Sequence, residues 1–167
     1  GYDANFSHNE DGEYDHRLRA AGGRIWLDAE IRVRYSPRST VQSLAKQYFN
    51  YGKGRARNLM KHGGVPKLRQ LIPQVTLVLC LLGFALAPIE PWTLVAPAGY
   101  VGTLALVSVA VAVHMRSFCG LMAGLASGTM HMSWAAGFFR QWLTRSADND
   151  RKTKHPPLEP KLPTHAE

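Results

Sequence analysis

The sequence predicts an α/β unit followed by a transmembrane α-helical region. Three observations lead there. Over residues 12–35 a helical pattern gives way to period-two alternation. At residue 70 the composition changes abruptly: residues 1–69 carry 13 Lys+Arg and 7 Asp+Glu, whereas 70–139 carry Glu90, Arg116 and no other charged side chain. Beyond that boundary lie three apolar stretches of membrane-crossing length. The mean hydropathy of −0.18 averages two unlike parts of a 167-residue chain. The expected organisation is an α/β unit over 1–38, a basic amphipathic interface helix and linker over 39–69, two to three transmembrane helices over 70–143, and a disordered basic tail over 144–167.

The run GEYDHRLRAA places Tyr14, Leu18 and Ala21 at helical spacing, and Gly22-Gly23 follows as a stop signal, so a helix is expected from about Asp11 to Ala21. In RIWLDAEIRVRYSP, Ile25 and Leu27, then Ile31, Val33 and Tyr35, alternate with polar neighbours, the pattern of two short strands broken at Asp28-Ala29-Glu30. Ser39 with Gln42 three residues on suggests a capped helix running from Thr40 towards Lys61. Its Val41, Leu44, Ala45, Tyr48, Gly52, Ala56 and Leu59 form one stripe, and Lys46, Asn50, Lys53, Arg57 and Lys61 lie opposite. Such a basic amphipathic helix suits an anionic membrane surface.

The apolar stretches are 71–89, 92–115 and 117–139, each sufficient for a bilayer core about 30 Å thick. The third is rich in small residues, carries His131 and Ser133, and is the weakest of the three by hydropathy. Its Gly120, Gly124 and Gly128 make a seam on which another helix could pack closely. His131, inside that apolar stretch, reads as a hydrogen-bonded interior histidine. Trp92, Trp134 and Trp142 suit membrane interfaces. The loop near Glu90 has no Lys or Arg, so residues 1–69 are expected on the cytoplasmic side; six Lys+Arg from Arg140 onward leave the side of the tail open. Cys80 and Cys119 lie in apolar stretches and are expected as buried thiols, which excludes a disulfide-stapled domain. The chain opens at Gly1 with no signal-peptide pattern, as expected of the downstream part of a longer protein.

Two places could carry chemistry. Asn9-Glu10-Asp11 sets paired carboxylates at a helix start, where a helix cap and a general base are both compatible with the residues. Gln47, Tyr51 and Arg55, four apart, stack along one helix edge beside Gly52 and Gly54, an arrangement compatible both with an anionic diphosphate that Arg grips bidentately and with a solvated basic face contacting lipid head groups. Nucleotide-binding glycine motifs, HExxH and CxxC are absent, and the seven histidines show no metal-ligand spacing. The net charge of +8 is explained by positive-inside placement, and no nucleic-acid motif accompanies it.

The stretch GYDANFSHNEDGEYDHRLRAAGGRIWLDAEIRVRYSPRSTVQSLAKQYFNYGKGRARNL resembles the distal half of the catalytic domain in glycosyltransferase family 2, most closely its succinoglycan-biosynthesis membrane glycosyltransferases. The block containing MHMSWAAGFFRQW is similar to the end of those proteins, so the resemblance reaches about Leu143. It implies the distal part of a GT-A domain and inverting transfer of a sugar from a nucleotide-sugar donor to a lipid-linked or growing glycan acceptor, in exopolysaccharide or cell-envelope synthesis. The implied location is the bacterial inner membrane, with the catalytic part facing the cytoplasm and the bilayer as partner. Asn9-Glu10-Asp11 matches the family's acidic motif, which makes Asp11 the implied catalytic base with Glu10 beside it. Gln47, Tyr51 and Arg55 stand where processive relatives carry QxxRW; the missing Trp and the altered Arg spacing depart from that pattern. The family also implies a divalent metal, Mg or Mn, whose DxD ligands precede this stretch; Asp148-Asn149-Asp150 lies in the polar tail and does not match. Without the donor half, the chain alone is expected to be inactive. The alternative is a non-catalytic, membrane-anchored interaction module.

Overall fold

The computed structural model describes residues 1–3, 8–63 and 66–154, with side chains to 144. It contains five α-helices: α1 (Glu10–Ala20), α2 (Val41–His62), α3 (Leu68–Leu86), α4 (Val95–Met115) and α5 (Met122–Lys154). Short 3-10 turns, Pro91–Leu94 and Phe118–Leu121, precede α4 and α5.

The expected α/β unit is not found. Among the described residues there is no strand, and the alternating segment 24–35 runs without a hydrogen-bonded ladder. A strand exists only through a neighbour that takes up its backbone N–H and C=O groups. Here none lies alongside, and the apolar side chains stand in the open, Trp26 and Leu27 at 91% exposure and Val33 at 81%. The alternation is real, but no second strand answers it, so the distal GT-A assignment is not supported.

The helices follow the sequence closely. Thr40 rather than Ser39 caps α2: its hydroxyl accepts from the Ser43 backbone N–H at 3.1 Å, and the chain stays extended through Thr40. Gly63, at φ 64°, ends α2 in the left-handed conformation that glycine adopts without strain. Two helical spans, Leu68–Leu86 and Pro91–Met115, are long and apolar enough to cross a membrane, and only 11% of each apolar window is buried. A core helix of a water-soluble protein would be mostly covered; these present Leu, Val and Phe outward. They meet beside their connecting turn, where Thr93 Oγ1 donates to the Gly83 carbonyl at 3.0 Å.

The third apolar stretch is a different object. It breaks at Phe118–Leu121 and restarts as a 33-residue helix that is not among the spans of crossing length and hydropathy. The first turns of α5 lie on α4. A Cβ at Gly120 would come within 2.4 Å of Ala112 Cα, and one at Gly124 within 2.3 Å of the Leu104 carbonyl, so the glycine seam is a close helix crossing. Farther along, α5 packs on α2 through a second crossing. A Cβ at Gly52 would lie 2.0 Å from the Trp134 carbonyl, and one at Gly137 2.0 Å from the Phe49 carbonyl. Ala56, Leu59 and Phe138 form the buried apolar cluster there, with Trp134 packed against it. The helix runs on past residue 143 to Lys154, and the remainder of the expected tail lies outside the described residues.

Part of the basic face of α2 is engaged inside the protein, while Lys46 on that face is exposed. Arg57 Nε donates to Gln141 Oε1 on α5 at 3.1 Å, and Lys61 pairs with acids near the N-terminus. Cys80 and Cys119 are free thiols, half-buried and exposed respectively, so Cys119 departs from the expected burial. Tyr100 OH lies 3.3 Å from His131 Nδ1, the interior partner expected of that histidine.

Candidate functional site

The acidic turn is set on α2 by a close backbone contact. A Cβ at Gly54 would meet the His8 carbonyl at 2.5 Å and Asn9 Cβ at 2.9 Å, so only glycine lets this loop sit there. Asn9 adopts φ 64°, a left-handed conformation that Asn tolerates better than most residues, and turns the chain into α1. Glu10 and Asp11 occupy the first turn of α1, where the helix dipole favours negative charge. Asp11 is exposed, and its Oδ1 accepts from the Gly12 N–H at 2.7 Å. The carboxylate is thus held at the exposed first turn of α1, with one oxygen bonded to the backbone.

Beside this turn a cavity of about 320 Å³ is lined by His8, Arg38, Lys46, Gln47, Asn50 and Tyr51 among others. Gln47 Nε2 donates to Tyr51 OH at 2.7 Å and Arg38 Nε donates to Gln47 Oε1 at 3.2 Å, with Tyr35 OH 3.4 Å from the same amide nitrogen. Two sequence-derived candidates, Gln47 and Tyr51, therefore meet directly. Arg38 and Lys46 supply positive charge, and no carboxylate is among the lining side chains. An anion with several acceptor oxygens matches this set of donors. Arg38 escaped the sequence reading because it lies nine residues before Gln47, across the helix start; Lys46 was assigned to the opposite face.

Arg55 goes elsewhere. Its Nη2 donates to Gln70 Oε1 at 3.0 Å, at the start of α3. Burial, then the neighbouring Arg69 charge, hold its guanidinium below the usual value.

Sequence reasoning missed the acid at the centre of the polar half. Glu13 is fully buried, and its carboxylate receives Arg17 Nε at 2.9 Å, Lys61 Nζ at 2.6 Å and His62 Nε2 at 3.2 Å. Lys61 also reaches Asp3 at 2.6 Å. The hydrogen bond from Lys61 is the largest influence keeping the Glu13 carboxyl below its ordinary range; burial opposes it, and Arg17 adds to it. Lys61 is raised in turn, first by Asp3 and then by Glu13. Only the Arg17 partner, four residues on, was visible as helical spacing.

Among the described residues no three His, Cys, Asp or Glu side chains gather so as to hold a metal ion. Glu10 and Asp11 thus do not fit a divalent-metal centre with their described neighbours.

The geometry defines a polar helical unit, with an acidic turn beside a cation-lined cavity, mounted on two apolar helices. Such a chain is 43% identical over 145 residues to the succinoglycan biosynthesis protein ExoA of Rhizobium meliloti (strain 1021), an alignment covering 86% of this chain and 43% of that relative. The chain is therefore a homologue of ExoA, as the resemblance in its sequence implies, and it spans less than half the relative's length. No family model matches. No solved structure matches either.

Proposed function

We propose that the protein serves a membrane-bound, inverting glycosyltransferase of succinoglycan-type exopolysaccharide synthesis, with a nucleotide sugar as donor and a lipid-linked or growing glycan as acceptor. The observation that carries this reading is the seating of the Glu10-Asp11 turn on Gly54, beside the cavity of Arg38, Lys46, Gln47 and Tyr51, in a homologue of ExoA.

The acceptor hydroxyl attacks the anomeric carbon as its proton passes to the Asp11 carboxylate. The bond to the nucleotide diphosphate breaks on the opposite face, and the departing oxygens meet Arg38, Lys46 and the Gln47–Tyr51 pair. Glu10 stands beside Asp11 in the same first turn of α1. The apolar helices hold the site at the inner membrane. The thirteen Lys+Arg of residues 1–69, against none in the loop at Glu90, support a cytoplasmic position.

The test is Asp11→Asn in the full-length protein, assayed with labelled nucleotide sugar and membrane acceptor. Loss of a general base lowers turnover by about 10²–10⁴-fold while thermal stability is kept. Near-normal turnover by this variant removes Asp11 from the mechanism.

A further inference from the structure

A second cavity, about 330 Å³, lies where α2, α3 and α5 converge and is lined by Tyr48, Arg69, Gln70, Pro73, His131 and Trp134 among others. Its lining is mostly aromatic and apolar, and Arg69 is the one Lys or Arg among the lining residues. Arg55, hydrogen-bonded to Gln70, stands at its edge. None of the ion pairs among the described residues involves Arg55 or Arg69; all four converge on Glu13 or Lys61. Arg55 Nε is buried without a partner, and so are both amide atoms of Gln74, one helical turn beyond Gln70 and 6% exposed. Leaving the Arg55 guanidinium nitrogen in this way costs free energy that a ligand beside Gln70 would recover. Two neighbouring guanidinium groups repel each other until an anion joins them. Arg69 is the second residue of α3, where the polar half meets the first apolar helix.

We propose that this cavity binds the phosphate headgroup of an anionic membrane amphiphile. The phosphate lies between Arg55 and Arg69, with Gln70 as further donor, and the hydrocarbon runs along Pro73 and Trp134. Charge complementarity selects a phosphate, and the apolar wall continuous with α3 selects a lipid over a free ion. The inference rests on the membrane placement argued above but not on sugar transfer.

The experiment uses full-length protein in which every Trp except Trp134 is changed to Phe, Trp26, Trp92 and Trp142 among them, in nanodiscs of phosphatidylcholine. Quenching of Trp134 fluorescence is titrated with acyl-brominated phosphatidic acid and, separately, acyl-brominated phosphatidylcholine. Phosphatidic acid is expected to quench at roughly tenfold lower mole fraction, since each basic residue near the surface favours an anionic lipid. R55Q/R69Q should abolish that preference, and Arg69→Lys, which keeps the charge, should retain most of it. Equal quenching by both lipids, or a preference that survives R55Q/R69Q, overturns the proposal. So does millimolar inorganic phosphate that removes the preference in the unsubstituted site, because the cavity is then a free-anion site. No sugar donor is present, so an inactive Asp11 variant and a failed lipid site give separate results.

Discussion

Helix α5 makes two close crossings with glycine, and they differ in what surrounds them. Against α4 the seam of Gly120 and Gly124 lies between helices whose other faces are apolar and exposed. Against α2 the pair Gly52 and Gly137 sits in a closed interface, with Ala56, Leu59 and Phe138 buried around it and the Arg57–Gln141 bond beside it. The first crossing joins apolar helices to one another; the second joins the apolar helices to the polar unit. Small residues allow both contacts, but only the second also excludes water from apolar side chains and satisfies charged ones.

The sharpest way to break that contrast is Gly52→Leu. Backbone carbonyls cannot yield as a flexible side chain would, so the α2–α5 contact should open at a cost of about 3 kcal/mol or more, seen as a large fall in melting temperature in detergent. Gly124→Leu at the other crossing should loosen α5 from α4 while the cavity of Gln47 and Tyr51 still forms. Equal loss of the polar unit in both variants would mean that the two crossings are one cooperative structure.

Glu13→Gln comes next, since it removes the charge on which Lys61 and Arg17 converge. It should lower the melting temperature by less than Gly52→Leu, with the greater part of the effect in α1. The pH dependence has a definite sign. Glu13 is depressed in the fold, so its contribution is present above the ordinary value of 4.5 and is lost as pH falls through the lower folded value. Lys61 is raised, so its contribution is complete below 10.5 and is lost as pH rises through the higher folded value. Melting curves should hold level between these limits and fall outside them, and Glu13→Gln should flatten the acid limb. Smallest is Gly102→Ala on α4, where a Cβ meets nothing within 4 Å. It should be neutral or stabilising by up to about 1 kcal/mol, the helix propensity difference.

The helices could be read from sequence because their information is local. The Thr40–Ser43 cap and the stop at Gly63 each lie within one turn of the residues they govern. The glycine seam was legible too, since spacing by four fixes a face of a helix whatever packs there. Segment 24–35 was misjudged because alternation records which side chains could share a face and says nothing about the neighbouring strand needed to form a ladder. Of the candidate site, Gln47 and Tyr51 were found by spacing. Arg38 and the union of Glu13 with Lys61 and His62 depend on how α1 and the segment before α2 return to α2, and such long-range contacts leave no periodic trace. Arg55 shared the spacing of Gln47 and Tyr51, yet the start of α3 draws its guanidinium to Gln70.

No proline interrupts α5 between Met122 and Lys154. At 1.5 Å per residue, the distance along α5 from Gly124, packed against α4, to Gln141 beside Arg57 is about 25 Å of unbroken helix. The rod acts as a gauge: it converts a count of residues into the separation between the apolar helices and the polar unit. Inserting one residue midway, at Thr129, advances the far end by about 1.5 Å and rotates it by about 100°, which swings Gly137 away from Phe49. The reach of the protein is thus written in the length of one helix.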